Sequence, residues 1–259
     1  MIERRKMVGA GWGGRDTAVS RSKWAGWWLI FILSAVSVSA SHFRFGNIAW
    51  RRAAGATNSL TVEITVVEAW RANSSGTGEI DYAFGDGSGS FTTGDAVLVS
   101  ELTDVAGEGY KIWTHTVTHT YPSNGVYTVS GDSCCRISSL INAGSDSETL
   151  TAVVDLQASN TGSPVTSSSV ILQMQTGRSN AVVLPIADPD GDAFAVRLAT
   201  AAESEIGSIA AIGTNVLTVT PQGVVQWDTT SGNNGAKYAV QVVVEENHGG
   251  GGPGRVPLD

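Results

Sequence analysis

Three carboxylates stand on alternate residues in the stretch Ala187-Asp-Pro-Asp-Gly-Asp-Ala-Phe194. Calcium is a hard cation that gathers several oxygen ligands, and the carboxylates of Asp188, Asp190 and Asp192 can converge on one ion if the loop curls. An EF-hand is excluded. Counted from Asp188 it needs Gly at 193 and Glu at 199, and both positions are Ala. The same residues suit a plain turn, with Pro189 fixing φ and Gly191 in the left-handed region. Two readings follow: a calcium site completed by backbone carbonyls, waters or a linker residue, and an acidic turn.

The chain has two cysteines, and they are adjacent, Cys134 and Cys135. On a strand they point to opposite faces, which allows one core and one exposed thiol, a vicinal disulfide, or pairing with another molecule. Two adjacent thiols without a nearby Cys or His pair lack the spacing of a zinc site. His115 and His119, four apart on a strand, are separated by roughly 13 Å and cannot share a metal. His119 reads as a structural residue. Gly9-Ala-Gly11-Trp-Gly-Gly14 matches a dinucleotide-binding string, yet no strand precedes it. H-E-x-x-H and G-x-S-x-G do not occur, and no order of Ser, His and Asp favours catalysis. The chain reads as a non-enzyme. Trp50, Trp70 and Trp113 suit either a sugar-stacking platform or core corners, and Asn73-Ser-Ser75 is a glycosylation sequon if the source is eukaryotic.

The elements that must position these residues are strands. A 42% hydrophobic, 15% charged composition supports a true core, and 31 glycines beside many Val, Ser and Thr favour turns and pleats over helices. Six basic residues precede the apolar run WAGWWLIFILSAVSVSA, which closes on Val38-Ser39-Ala40, so residues 1–40 read as a signal peptide. Left uncleaved, the run of about 17 residues would be a signal anchor, the one membrane contact expected. The whole chain has 16 Lys and Arg against 24 Asp and Glu; residues 1–40 hold six and two of these, leaving 10 against 22. Such a surface repels nucleic acid and anionic lipid.

From Ser41 onward the hydrophobic period is two. Leu60, Val62, Ile64 and Val66 share one face while Thr61, Glu63 and Thr65 share the other. The spacing predicts strands over 43–52, 60–66, 80–84, 95–101, 110–118, 125–130, 134–140, 148–156, 169–174, 181–186, 194–198, 215–220, 223–228 and 238–244, and a helix over 201–212. Short strands separated by Gly, Asn, Asp and Ser indicate antiparallel sandwiches. The alternation lapses in the small, polar stretch DLQASNTGSP, which predicts a linker over 158–164 between domains 41–157 and 165–259. A seven-strand sandwich counted from 169 would lack its last strand at residue 259, so the second domain is expected to be C-terminally incomplete.

Tyr82-Ala-Phe84-Gly-Asp86-Gly-Ser88, followed by His119-Thr-Tyr121 and Gly125-Val-Tyr127-Thr-Val129, resembles the polycystic kidney disease (PKD) domain, an immunoglobulin-like sandwich of secreted and cell-surface proteins. Leu184-Pro-Ile-Ala-Asp188-Pro-Asp190-Gly-Asp192 is similar to cadherin-like and immunoglobulin-like repeats, in which such carboxylates hold calcium near a domain junction. The resemblances imply an all-β chain of two tandem antiparallel sandwiches, secreted or on the cell surface. They imply structural, adhesive or ligand-binding work on an extracellular protein or glycan, with calcium stiffening the junction. The alternative is a pair of accessory domains, carbohydrate-binding or spacing, of an exported hydrolase whose catalytic domain lies outside this chain.

Overall fold

A computed structural model describes residues 42–53, 58–73, 80–143, 147–157, 160–207, 209–246 and 255–258. The expected signal peptide, its glycine string, and Ser74 and Ser75 of the sequon lie outside the described residues. Among the described residues no helix is long and apolar enough to cross a membrane.

The protein is all-β and its sheets are antiparallel. Its first part runs β1 (Phe43–Arg52), β2 (Thr61–Arg71), β3 (Asp81–Ala83), β4 (Ser90–Thr92), β5 (Val97–Thr103), β6 (Gly109–Thr120), β7 (Val126–Ser133) and β8 (Glu148–Asp155). One sheet has the order β1-β2-β6-β5 and the other β4-β3-β7-β8. The alternation in β2 is the reason they pack face to face. Val62, Ile64 and Val66 are buried, and with Ile48, Trp50, Tyr82, Val129, Leu150 and Val154 they form one core. Burial of each such side chain stabilises the fold by about 1.5–3 kcal/mol. On the opposite face Thr61 pairs with Thr120 and Thr65 with Thr116 through their hydroxyls, at 2.8 and 3.1 Å.

The second part runs β9 (Val165–Thr166), β10 (Ser179–Val183), β11 (Ile186–Ala187), β12 (Phe194–Leu198), α1 (Ala201–Ser204), β13 (Ala211–Ile212), β14 (Asn215–Val216), β15 (Thr218–Val219), β16 (Val224–Asp228), β17 (Val242–Glu246) and β18 (Arg255–Leu258). Its main sheets are β10-β16-β15 and β12-β17-β18. Their core joins Leu184, Val196, Leu217, Val225, Trp227 and Val244 with Phe45, Ala69 and Tyr110 of β1, β2 and β6. The first sheet therefore buries residues on both faces. Alternation inside β1 is blurred for the same reason, since Phe45 through Ile48 are all buried.

Several elements differ from expectation. Residues 134–140 form turns, touching β1 through an isolated bridge between Phe43 and Arg136. Residues 169–174 pair with no strand, and 238–241 likewise stay outside β17. The expected helix over 201–212 is one turn long. It stops where Glu205 adopts φ 56°, just before Ile206 and Gly207, which favour it poorly. At the C-terminal end β18 adds a strand to β17, pairing Val244 with Val256.

The segment expected to be a linker is described from Asn160 onward, and it lies along β1. The Arg52 amide donates to the Thr161 carbonyl at 2.6 Å and the Ser163 amide to the Trp50 carbonyl at 2.9 Å. Asn160 and Ser163 are both 2% exposed. Gly162 permits the approach, because a Cβ there would stand 2.9 Å from the Trp50 carbonyl oxygen.

Candidate functional site

The acidic stretch forms a turn between β11 and β12, built by its own first carboxylate. Asp188 Oδ1 accepts the amides of Asp190 and Asp192, each at 2.9 Å, and Gly191 takes φ 81°. Carboxylate oxygens of Asp188, Asp190 and Asp192 come within 4.8 Å of one another. All three expected residues are thus brought together.

Asp190 does something that its spacing did not disclose. It accepts the Thr161 amide at 2.6 Å and the Gly162 amide at 3.2 Å, and the Thr161 hydroxyl as well. Since Thr161 is itself bonded to Arg52, the turn is tied through 160–163 to β1.

A fourth carboxyl closes the group from β17. Glu246 pairs across from Phe194 and is 2% exposed. Its pKa is pushed up to about 10, first by burial and then by its hydrogen bond to Asp188 and the charges of Asp188, Asp192 and Asp190. For Asp188 burial acts upward too, but the hydrogen bonds from Glu246 and from the turn amides hold its pKa below the ordinary value. Sequence reading missed Glu246 because 54 residues separate it from Asp192 along the chain. The only available signal was its place at the end of an alternating strand.

A second constellation lies in the first part. Gly85 sits at φ 85°, where a Cβ would stand 2.2 Å from the Thr128 carbonyl oxygen, so the Phe84–Ser88 turn tolerates no side chain there. Asp86 accepts the Ser88 amide at 2.9 Å on one oxygen and His119 Nε2 at 2.8 Å on the other. Burial raises the Asp86 pKa, yet these bonds outweigh it and bring the carboxyl to about 2. The His119 ring stacks on Phe84 with centroids 3.8 Å apart, and the Tyr121 hydroxyl donates to the Phe84 carbonyl at 3.0 Å. The Asp86 carboxylate, His119 Nε2 and the Tyr121 hydroxyl are each turned onto a structural partner. His115 lies against a different acid, its Nδ1 2.7 Å from Asp95.

Cys134 and Cys135 are joined to each other as a disulfide, with Cys134 exposed and Cys135 buried. The Cys135 carbonyl accepts the amides of His42 and Phe43, so the pair anchors the start of β1.

Of the two readings of the tryptophans, Trp50 and Trp70 take the core one. Trp50 and Trp70 are each 3% exposed and cannot present a stacking platform. Their indole N–H groups turn inward, Trp50 to the Val153 carbonyl at 2.8 Å and Trp70 to Glu68 at 3.0 Å. Glu68 also accepts from Tyr82 at 2.9 Å and from Thr93. Burial lifts its pKa to about 6 against the pull of those three donors.

Residues 44–157 match the family of the integrin beta-like protein A-E N-terminal region. Integrin beta-like protein C of Dictyostelium discoideum is 33% identical over 175 residues, which cover 58% of this chain. The chain spans only 9% of that relative's length. No solved structure matches the chain.

Proposed function

We propose that this chain is an extracellular, non-catalytic adhesion or ligand-binding module. The observation that carries the reading is the match of 44–157, the whole first pair of sheets, to the N-terminal region of integrin beta-like proteins. The geometry is in keeping with it. The polar groups of the Asp86 corner and of Glu68 are spent on internal partners, as suits a scaffold whose loops and edges make the contacts. The finer reading, a PKD-like sandwich followed by a cadherin-like one, draws support from the union of the Phe84–Ser88 turn with His119 and Tyr121.

Calcium belongs to this proposal. Asp188, Asp192 and Glu246 would hold the ion, with Asp190 already engaged by Thr161 and Gly162. The fit rests on burial and crowding: burial first, and then the hydrogen bond to Asp188 and the charges of the three aspartates, favour the protonated form of Glu246, and a divalent cation would replace that proton. Bound there, it would stiffen the turn that is tied to β1.

The test is expression of the full chain, tagged after Asp259, in cultured eukaryotic cells that do not otherwise cohere. The expected result is tag accessible to a membrane-impermeant label or in the medium, and calcium-dependent clustering of the expressing cells. Tag confined to the cytosol, or export without any gain in attachment to cells or matrix, would overturn the reading.

A further inference from the structure

A cavity of about 550 Å³ opens where the second part packs against β1. Two of its walls are the segments 169–174 and 238–241, which were expected as strands and join no sheet. Val170, Ile171 and Met174 come from the first of these, and Tyr238 and Val240 from the second. Because neither segment forms a strand, the space between β16, β17 and β1 is left unfilled by strand packing. Leu184, Leu217, Val225 and Trp227 line its far side. Such a volume and such a wall belong to the range of small-molecule sites.

The charges at one end are uneven. Arg44 and Lys237 line the cavity there, and among its described lining residues Asp104 is the one carboxylate. Arg44 donates to Asp104 at 2.9 Å and also bonds Glu108. Lys237 reaches Glu108 at 2.8 Å and Asp104 at 3.6 Å, and Arg71 reaches Glu108 at 3.4 Å. Three cations thus share two carboxylates, in a chain whose net charge is −8. The Arg44 side chain is 3% exposed, so its charge is read inside the fold and not in bulk water. Lys237 is the more accessible of the two cations that line the cavity, at 22%.

We propose that this cavity binds a single-chain apolar carboxylate, a molecule of the fatty-acid class. Its hydrocarbon lies among Ile171, Met174, Leu184, Leu217, Val225 and Trp227, and its carboxylate meets Lys237 beside Arg44. The apolar wall selects the tail. The surplus positive charge selects one anionic head, because a neutral head leaves that surplus unanswered and a cationic one adds to it.

The experiment is calorimetric titration of the full chain with decanoate, decanol and decyltrimethylammonium. The expected result is saturable one-to-one binding of decanoate, with decanol about tenfold weaker and the ammonium weaker still. Lys237→Gln, at a half-buried position, is expected to cut decanoate affinity by about tenfold while leaving decanol unchanged. Leu217→Trp fills the tail space and is expected to abolish binding of both, provided its circular dichroism and melt match the parent. Absence of saturable decanoate binding overturns the proposal. So does decanoate affinity unchanged in Lys237→Gln, which decides the matter even if the Leu217 variant does not fold.

Discussion

Asp86 and His119, 33 residues apart, meet at 2.8 Å and lock the Phe84–Ser88 turn onto β6. The carboxylate carries the turn on one oxygen and the ring on the other, and the ring is clamped between Phe84 and the edge of Tyr121. Removing the acid leaves the Ser88 amide and the imidazole N–H without their acceptor. Asp86→Ala is expected to lower unfolding free energy by about 2–4 kcal/mol, since each unmade buried or charge-assisted bond costs about 1–3 kcal/mol. Urea denaturation of the two proteins measures this. A loss below about 0.5 kcal/mol would mean that the corner is held by the rings alone.

The period-two pattern made the first sandwich legible because those strands have one wet face and one dry one. Val62, Ile64 and Val66 are buried while Thr61 and Thr65 pair on the other side. Where packing takes both faces, the pattern blurs, as in β1, whose residues Phe45 to Ile48 are all buried. Residues 169–174 carry the apolar run Val170-Ile171-Leu172 that suits a strand, yet they form none and become a cavity wall. The sites followed the same rule. Asp188, Asp190 and Asp192 were visible because a turn gathers what is close in sequence. Glu246 and Thr161 were not, because strand pairing and a docked segment brought them from a distance.

Glu68 gives the fold a pH dependence of definite sign. Its folded pKa, about 6, lies above the ordinary 4.5, so between those values the folded state holds a proton that the unfolded chain has released. Stability from this group is full below about pH 4.5 and is lost as pH rises through 6, by about 2 kcal/mol in all. Glu68→Gln keeps an acceptor and a neutral side chain. Denaturation at steps from pH 4 to 7 is expected to show the parent losing this amount relative to the variant. Parallel curves for the two would remove Glu68 as the cause.

Arg52 is 1% exposed and holds three backbone carbonyls, Asn160 at 2.7 Å, Leu156 at 2.8 Å and that of Ser59. It binds β1 to both ends of the crossing toward the second part. Lysine keeps the charge but has one compact donor group where three directions are needed. Arg52→Lys is expected to destabilise by roughly 2–4 kcal/mol, because bonds to charged donors are worth about 1.5–3 kcal/mol each. Hydrogen exchange would locate the effect in amides of Arg52 and Ser163, which face each other across this contact. Uniform exchange over the whole chain would instead mean that the contact is not a separate unit.

The acidic turn has two separable roles, and two variants divide them. Asp190 accepts two amides and a hydroxyl from Thr161 and Gly162, so Asp190→Ala is expected to lower the melting temperature even in EDTA. Asp192 stands in the carboxylate group beside Glu246, where its charge opposes ionisation of that buried acid. In EDTA, therefore, Asp192→Asn is expected to leave the melt unchanged or raise it. Calcium at a hundredfold excess over its Kd would stabilise the parent by about 2.7 kcal/mol through preferential binding to the folded state. Asp192→Asn, with a ligand charge removed, is expected to lose most of that gain while folding normally. A parent melt indifferent to calcium would leave the turn with its hydrogen-bonding role alone. A calcium response undiminished in Asp192→Asn would place the ion elsewhere in the chain.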